Sequence, residues 1–173
     1  MTTVVIILVA ALAVLFIVAA QKPDIFRIEK KAVISAPPEK IAGFISDFRR
    51  WAVWSPYEHK DPNMQKTYDG PASGVGAKYA WSGNKNIGSG HMEILDVTPN
   101  KIVVDLVFTA PFKAHNTAEF TLTPQGGATE VTWAMFGPCP FFAKVMHTVI
   151  SMDKMVGNDF VKGLADLKKT AEA

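Results

Sequence analysis

The residues of this chain that could hold a metal or act as a nucleophile are few and scattered. None of the four histidines stands in an H-x-H, H-E-x-x-H or E-x-x-H spacing, the patterns that place two ligands on one metal. The only cysteine, Cys139, lies between two prolines with no basic residue beside it, which favours a structural role over a nucleophilic one. The sequence therefore predicts no metal site and no cofactor.

Acid–base chemistry has two weak candidates, Glu58 and His59, which are adjacent titratable residues. The alternative is that both belong to a polar, solvated rim. His91 and Glu93 also share one face of a predicted strand, but the apolar residues that alternate with them are the ones expected to point inward. The catalytic residues, if the chain has any, stay unknown at this level.

The length and net charge of the chain limit its domain organisation and its possible partners. The chain has 173 residues, and 18 Lys and Arg against 16 Asp and Glu give a net charge of +2. This balance lacks the basic excess of a nucleic-acid-binding surface. Without its first twenty or so residues the chain has the usual length of one domain.

The N-terminal segment predicts a single membrane span. From Val4 to Ala20 there is no charge, proline or glycine, and a helix of this length covers about 25 Å, near the lower limit for crossing a bilayer. The small residues that end the run also resemble a signal-peptide cleavage site. Lys22 and Arg27 follow the run and no basic residue precedes it, which favours an uncleaved anchor with the rest of the chain on the cytoplasmic side. We expect residues 1–22 to be the anchor and 23–173 the folded domain.

The rest of the chain alternates between strand and helix periodicities. A strand is predicted over Phe26–Ser35, and two short helices follow from Pro37 to Pro56. From Met64 to Gly137 the period becomes two, interrupted by turn dipeptides, as in an antiparallel meander. After Pro140 the period is helical to the end, so a long C-terminal helix should cover the apolar face of the sheet.

The predicted strands place large apolar side chains on one face. These inward residues include Tyr79, Trp81, Phe108, Phe120 and Trp133, and Met135, Met152 and Met155 lie nearby in the pattern. Asn116 is the one polar residue in the inward set of its strand. Such a face either fills a core or lines a pocket for an apolar molecule, and the pattern alone leaves both open.

The order of elements resembles the helix-grip fold of the START and polyketide-cyclase-like (SRPBCC) superfamily. Several stretches are similar to bacterial polyketide cyclase or dehydrase-like members, over roughly residues 26–170: Ser35-Ala36-Pro37-Pro38-Glu39, Asp47-Phe48 with Trp51, Trp54-Ser55-Pro56-Tyr57-Glu58, Gly74-x-Gly76-Ala77, Trp81-x-Gly83-Asn84, Gly88-x-Gly90 and the helix from Met152 to Leu167. The resemblance implies an α+β fold in which a curved antiparallel sheet of about seven strands wraps around a long C-terminal helix.

The resemblance also implies a cavity between sheet and helix that takes a small apolar, lipid-like or polyketide-like ligand. The expected lining is Trp54, Tyr57, Tyr79, Trp81, Phe108, Asn116, Phe120, Trp133, Met135, Met152 and Met155. Folds of this kind have a loop near the cavity mouth where Glu58 and His59 stand. Three functions remain: a membrane-tethered ligand binder, a cyclase or dehydratase that uses Glu58 or His59, and a protein-interaction domain with a collapsed cavity. The oligomeric state stays open.

Overall fold

The computed structural model describes residues 2–173 and contains four α-helices, two 3₁₀ helices and seven strands. The first helix, α1, runs over Thr2–Ala20, and α2 runs over Pro38–Ile45. The two 3₁₀ helices follow at Phe48–Val53 and Pro56–His59, each started by a residue in an extended conformation. Prolines in the first turn of α2 and of the second 3₁₀ helix cost no hydrogen bond there.

All seven strands form one antiparallel sheet in the order β1-β7-β6-β5-β4-β3-β2. The strands are β1 Ile25–Ile34, β2 Gln65–Asp69, β3 Lys78–Ser82, β4 Ser89–Thr98, β5 Lys101–Ala110, β6 Ala114–Gln125 and β7 Ala128–Pro138. Alternating burial along β3, β5 and β6 confirms the period of two, because only one face of the sheet is covered. The first strand and the meander therefore match the sequence prediction closely.

Two helices complete the chain, α3 over Phe141–Val149 and α4 over Met152–Glu172. The long helix α4 lies along the inner face of β1, with Phe160, Leu164 and Leu167 fully buried. Its apolar stripe thereby closes the open side of the sheet. The α+β helix-grip architecture predicted from the sequence is confirmed.

One end of the sheet lies next to α1 and is called the α1 end below. There β1 begins at Ile25 opposite Pro138, the last residue of β7. The tips of the β3–β4 and β5–β6 hairpins lie at the same end, because Ser82 pairs with Ser89 and Phe108 with Ala114. Among residues 2–173, α1 is the one helix long and apolar enough to cross a membrane, a test that signal sequences also pass.

Candidate functional site

The middle of the space between sheet and α4 is filled by aromatic rings. The ring of Trp133 on β7 stacks on Phe160 of α4 with centroids 4.1 Å apart and planes inclined by 8°. Phe120 also stacks on Trp133, and Trp54 packs edge-on against both of these rings. Sheet and helix are therefore in direct contact at the centre, at Trp54, Phe120 and Trp133, three residues of the cavity lining that the resemblance implies. Side chains of this size occupy the volume that a smaller set would have left open.

A second row of rings crosses the outer strands of the sheet. Tyr79 and Trp81 stack at 5.9 Å, and Phe108 packs edge-on against Trp81 at 5.7 Å. Tyr79 and Trp81 are buried, whereas Phe108 is only partly covered and lines a shallow hollow of about 390 Å³ at the β5–β6 tip. Of these three predicted ligand residues, Phe108 is the one that reaches open space.

Glu58 is buried beneath this second row and already has two partners. The Tyr79 hydroxyl donates to Glu58 Oε1 over 2.7 Å, and the Lys66 ammonium forms an ion pair with Oε2. Burial and the neighbouring carboxylate raise the pKa of the Tyr79 hydroxyl well above its usual range, so it remains a donor at neutral pH. His59 lies exposed on the surface of the second 3₁₀ helix. The two candidate acid–base residues thus point to different environments.

Tyr57 stands beside the central rings with its ring 6.4 Å from that of Trp133. Burial, with the charge of Asp159 as a smaller cause, raises the pKa of its hydroxyl far above the usual value. Ser55, two residues before Tyr57, has a buried hydroxyl oxygen with no hydrogen-bond partner among residues 2–173. Both groups are polar atoms in an apolar surrounding, and both lie at the start of the same 3₁₀ helix.

Asn116 is a largely buried polar residue on β6 whose amide keeps some contact with solvent. Its side chain is 6% exposed, and none of the side-chain hydrogen bonds formed among residues 2–173 involves it. The amide oxygen lies flat against Gly137 of β7, where a Cβ atom would collide with it. Met135 is buried two residues earlier on the same strand. An amide held in this way is available to a ligand that brings its own donor or acceptor.

A groove of about 340 Å³ opens at the α1 end. Asn116 and Gly137 are not among its lining residues, but Phe26, the partner of Gly137 on β1, is. The groove lies between the α1–β1 linker, β1, α3 and the start of α4, and its lining is Lys22, Pro23, Ile25, Phe26, Arg27, Ile28, Cys139, His147, Ser151, Met152 and Asp153. Its volume is near the lower limit for a small-molecule site, and its floor is apolar.

The two methionines of α4 that were predicted to contact a ligand lie in different environments. Met152 is partly buried and lines it, whereas Met155 is exposed and is not part of the site. The reason is helical geometry, because the buried stripe of α4 runs from Met152 through Val156 to Phe160. Met155 lies outside this stripe and faces away from the sheet.

The groove also contains a thiol and an imidazole that sequence reasoning did not bring together. Cys139 Sγ and His147 Nδ1 are 3.4 Å apart, across the turn that starts α3. Burial and the charge of Lys22 lower the pKa of His147, so its ring is neutral at pH 7 and can take part in a hydrogen bond with the thiol. Cys139 thus has a basic neighbour in space, although no basic residue flanks it in the sequence. Cys139 and His147 are eight residues apart in the sequence, on either side of Pro140, and this spacing is not a pattern that predicts a contact.

The structure describes no group of three or more His, Cys, Asp or Glu in residues 2–173 that could hold a metal ion. Polar chemistry in the groove is limited to the thiol, the imidazole and the charged rim. Lys22 contributes to this rim and donates to the carbonyl oxygen of His147 over 2.9 Å. The arrangement suits binding of a mostly apolar molecule with one polar group.

The family model described as polyketide cyclase / dehydrase and lipid transport matches residues 26–172. Comparison with curated proteins finds no match. Protein CV1439 from Chromobacterium violaceum has a similar structure, with TM-score 0.59 and 18% identity, covering 88% of this chain and 99% of that one. The major latex-like protein 151 from Panax ginseng gives TM-score 0.61 and 9% identity, covering 87% and 100%.

The di-domain ARO/CYC StfQ of the steffimycin biosynthetic pathway is also similar in structure, with TM-score 0.65 and 10% identity. The match covers 86% of this chain and 51% of StfQ. At such identities the solved structures show a common fold.

Proposed function

Because this chain belongs to the polyketide cyclase / dehydrase and lipid transport family, we propose that it is a membrane-tethered protein that binds one small apolar ligand at the α1 end. The observation that carries the proposal is the groove of about 340 Å³ with its apolar floor, together with the largely buried Asn116, whose amide oxygen lies over Gly137, the partner of the groove residue Phe26. A ligand that pairs with this amide gains about 0.5 to 1.5 kcal/mol from the hydrogen bond.

The proposed ligand is an apolar molecule with one polar group. Phe26, Ile28 and Met152 supply an apolar floor in the groove, and Asn116 lies two strands from Phe26, on β6, with β7 between them. Burying an alkyl chain there contributes about 0.8 kcal/mol for each methylene group, so affinity comes mainly from desolvation. The amide fixes the orientation of the polar group.

The membrane tether is the second part of the proposal. We assign residues 1–22 as the anchor and 23–173 as the ligand-binding domain, because Thr2–Ala20 is an exposed apolar helix and Pro23 separates it from β1. The basic residues that follow α1 favour a cytoplasmic position for the domain. The groove begins at Lys22, so a ligand that partitions into the bilayer has a short path to it.

Native mass spectrometry of the full chain, released from lipid nanodiscs, tests the binding. We expect a bound lipid-like or other apolar molecule on the wild-type chain and several-fold lower occupancy in Asn116→Leu, which keeps the side-chain volume but removes the amide. Thr117→Val, on the opposite face of β6, is the control and should bind like the wild type. A chain that stays empty across a broad panel of lipids and apolar small molecules would rule out the function.

A measurement of stability accompanies this test. Asn116→Leu should not lower the free energy of unfolding of the empty protein, because the amide makes no side-chain hydrogen bond within residues 2–173 and keeps some contact with solvent. A loss of stability in this variant would instead show that the amide has a structural partner.

A further inference from the structure

Helix α3 is amphipathic, but its apolar side chains face outward and its basic side chains face the protein. Its apolar side chains point away from the protein, with Phe142 69% and Val149 70% exposed, and Met146 is exposed between them. Its basic residues face inward, where Lys144 is buried and His147 lies in the groove. A surface helix in water normally shows the opposite arrangement.

Specific contacts hold α3 in this inverted orientation. Lys144 Nζ binds Asp24 Oδ1 over 2.6 Å, which ties the helix to the segment between α1 and β1. His147 contacts Cys139 and packs edge-on against Phe26, with ring centroids 5.8 Å apart. The polar side of α3 thus faces the protein, whereas Phe142, Met146 and Val149 on its apolar side stay exposed.

The contact between α3 and α1 fixes where this apolar side lies. The ring of Phe141 is 6.0 Å from that of Phe16, and Ala19, one turn or so further along α1, is fully buried. Phe16 is four residues from the end of α1 at Ala20, a distance of about 6 Å along the helix axis. If α1 spans a bilayer, α3 lies at a depth of about 5 to 10 Å, where interfacial amphipathic helices are found.

A second apolar element lies at the same end of the sheet. The β5–β6 tip carries Phe112, which is 76% exposed and stands between Pro111 and Lys113. Ile25, the first residue of β1, is exposed as well. An apolar tip beside a basic residue is typical of a segment that enters a membrane interface.

From these contacts we infer that α3 and Phe112 dock on the lipid bilayer and hold the groove open toward the acyl chains. The inference rests on the proposed function, because α1 sets the depth of α3. It adds a defined membrane-facing surface, and a ligand then passes from bilayer to groove without crossing water.

Site-specific fluorescence in vesicles of phosphatidylethanolamine and phosphatidylglycerol tests this surface. An environment-sensitive dye is attached to the full chain at Phe142→Cys or Val149→Cys, with Val75→Cys in an exposed loop at the far end of the sheet as the aqueous control. The parent chain gives the background from the buried Cys139. We expect blue-shifted emission at both α3 positions, quenched by lipids that carry a nitroxide near the head group and insensitive to iodide, and the reverse at Val75.

A label at Leu8→Cys, in the middle of α1, separates the two proposals. If Leu8 is quenched by nitroxides deep in the bilayer and both α3 labels remain accessible to iodide, the docking of α3 is wrong and the tether stands. If Leu8 is itself accessible to iodide, the tether fails. Shielded α3 labels that no lipid nitroxide quenches would indicate a protein partner and would also overturn the inference.

Discussion

Glu58 owes its environment to two residues that are distant in the sequence. The Tyr79 hydroxyl and the Lys66 ammonium both bind its buried carboxylate. Removing one partner of a buried charge costs more than removing an exposed contact, because the remaining group stays desolvated. The sequence around Pro56 and Glu58 does not predict this pairing, because the pairing depends on the register of β2 with β3.

This pairing predicts different results for two tyrosines on adjacent strands. Tyr79→Phe should lower the free energy of unfolding by about 2 kcal/mol, because Glu58 loses a hydrogen bond to a charged group. Tyr68 lies beside Tyr79 with ring centroids 5.2 Å apart, and its hydroxyl makes no hydrogen bond within residues 2–173. Tyr68→Phe should therefore change stability by less than about 0.5 kcal/mol. Urea unfolding of both variants is the measurement, and equal losses would contradict the assignment.

His147 predicts a dependence of stability on pH. Its pKa in the folded protein lies below the ordinary value of 6.5, because of burial and then the charge of Lys22. The unfolded chain then binds the proton more readily, so stability falls as the pH drops below 6.5 toward the lowered pKa. The Asp24 carboxyl, whose pKa Lys144 lowers from 3.8, loses its contribution only at more acidic pH.

Thermal unfolding at about pH 7.5 and pH 5.5 isolates this effect. The wild-type melting temperature should fall more on acidification than that of His147→Gln, which cannot take up the proton. The same fall in both chains would show that His147 is not the group responsible.

The candidate site shows how far single residues can be predicted from sequence. Asn116 was recognisable because it is a polar residue in an inward-facing position. The pairing of Cys139 with His147 was not, because it forms across the turn between β7 and α3. The stacking of Trp133 on Phe160 was not predictable either, because it depends on how α4 packs on the sheet.

Helix α4 contains two glycines with different surroundings. A Cβ at Gly163 would lie 2.7 Å from the Trp133 ring and 3.0 Å from Pro56, both held in the core. A Cβ at Gly157 would lie 2.7 Å from Cε of Lys30, a flexible side chain that can move away. The same substitution on one helix therefore meets either a rigid or a yielding neighbour.

Replacing each glycine by alanine measures this difference. Gly163→Ala should lower the free energy of unfolding by about 1 to 3 kcal/mol, because overpacking exceeds the gain in helix propensity. Gly157→Ala should be neutral or raise it by about 0.5 to 1 kcal/mol. A stabilising Gly163→Ala would mean that α4 does not press against Trp133 as described.

Periodicity predicted the elements better than it predicted their orientation. The period of two in β3, β5 and β6 and the helical stripe of α4 both identify faces that the structure buries. The stripe in α3 is equally regular, yet its apolar side points outward. Amphipathicity gives a helix two faces, and the surrounding medium decides which of them is buried.

At the scale of the whole molecule, α1, α3 and the groove meet at one end of the sheet. The linker residue Lys22 lines the groove and donates to α3, and Asp24 binds Lys144 of the same helix. The far end, where β6 turns into β7 between Gln125 and Ala128, is remote from these contacts. This arrangement at one end of the sheet is what the proposed exchange of a ligand with a membrane requires.

Photo-crosslinking in membranes tests this account most directly. The full chain is placed in vesicles that contain a fatty acid with a diazirine on its acyl chain, and crosslinked residues are identified by mass spectrometry. We predict adducts on Phe26, Ile28 or Met152 in the groove, lost in Asn116→Leu, in addition to adducts on the lipid-facing sides of α1 and α3 that persist in that variant. Adducts confined to α1 and α3, with none in the groove, would contradict the account.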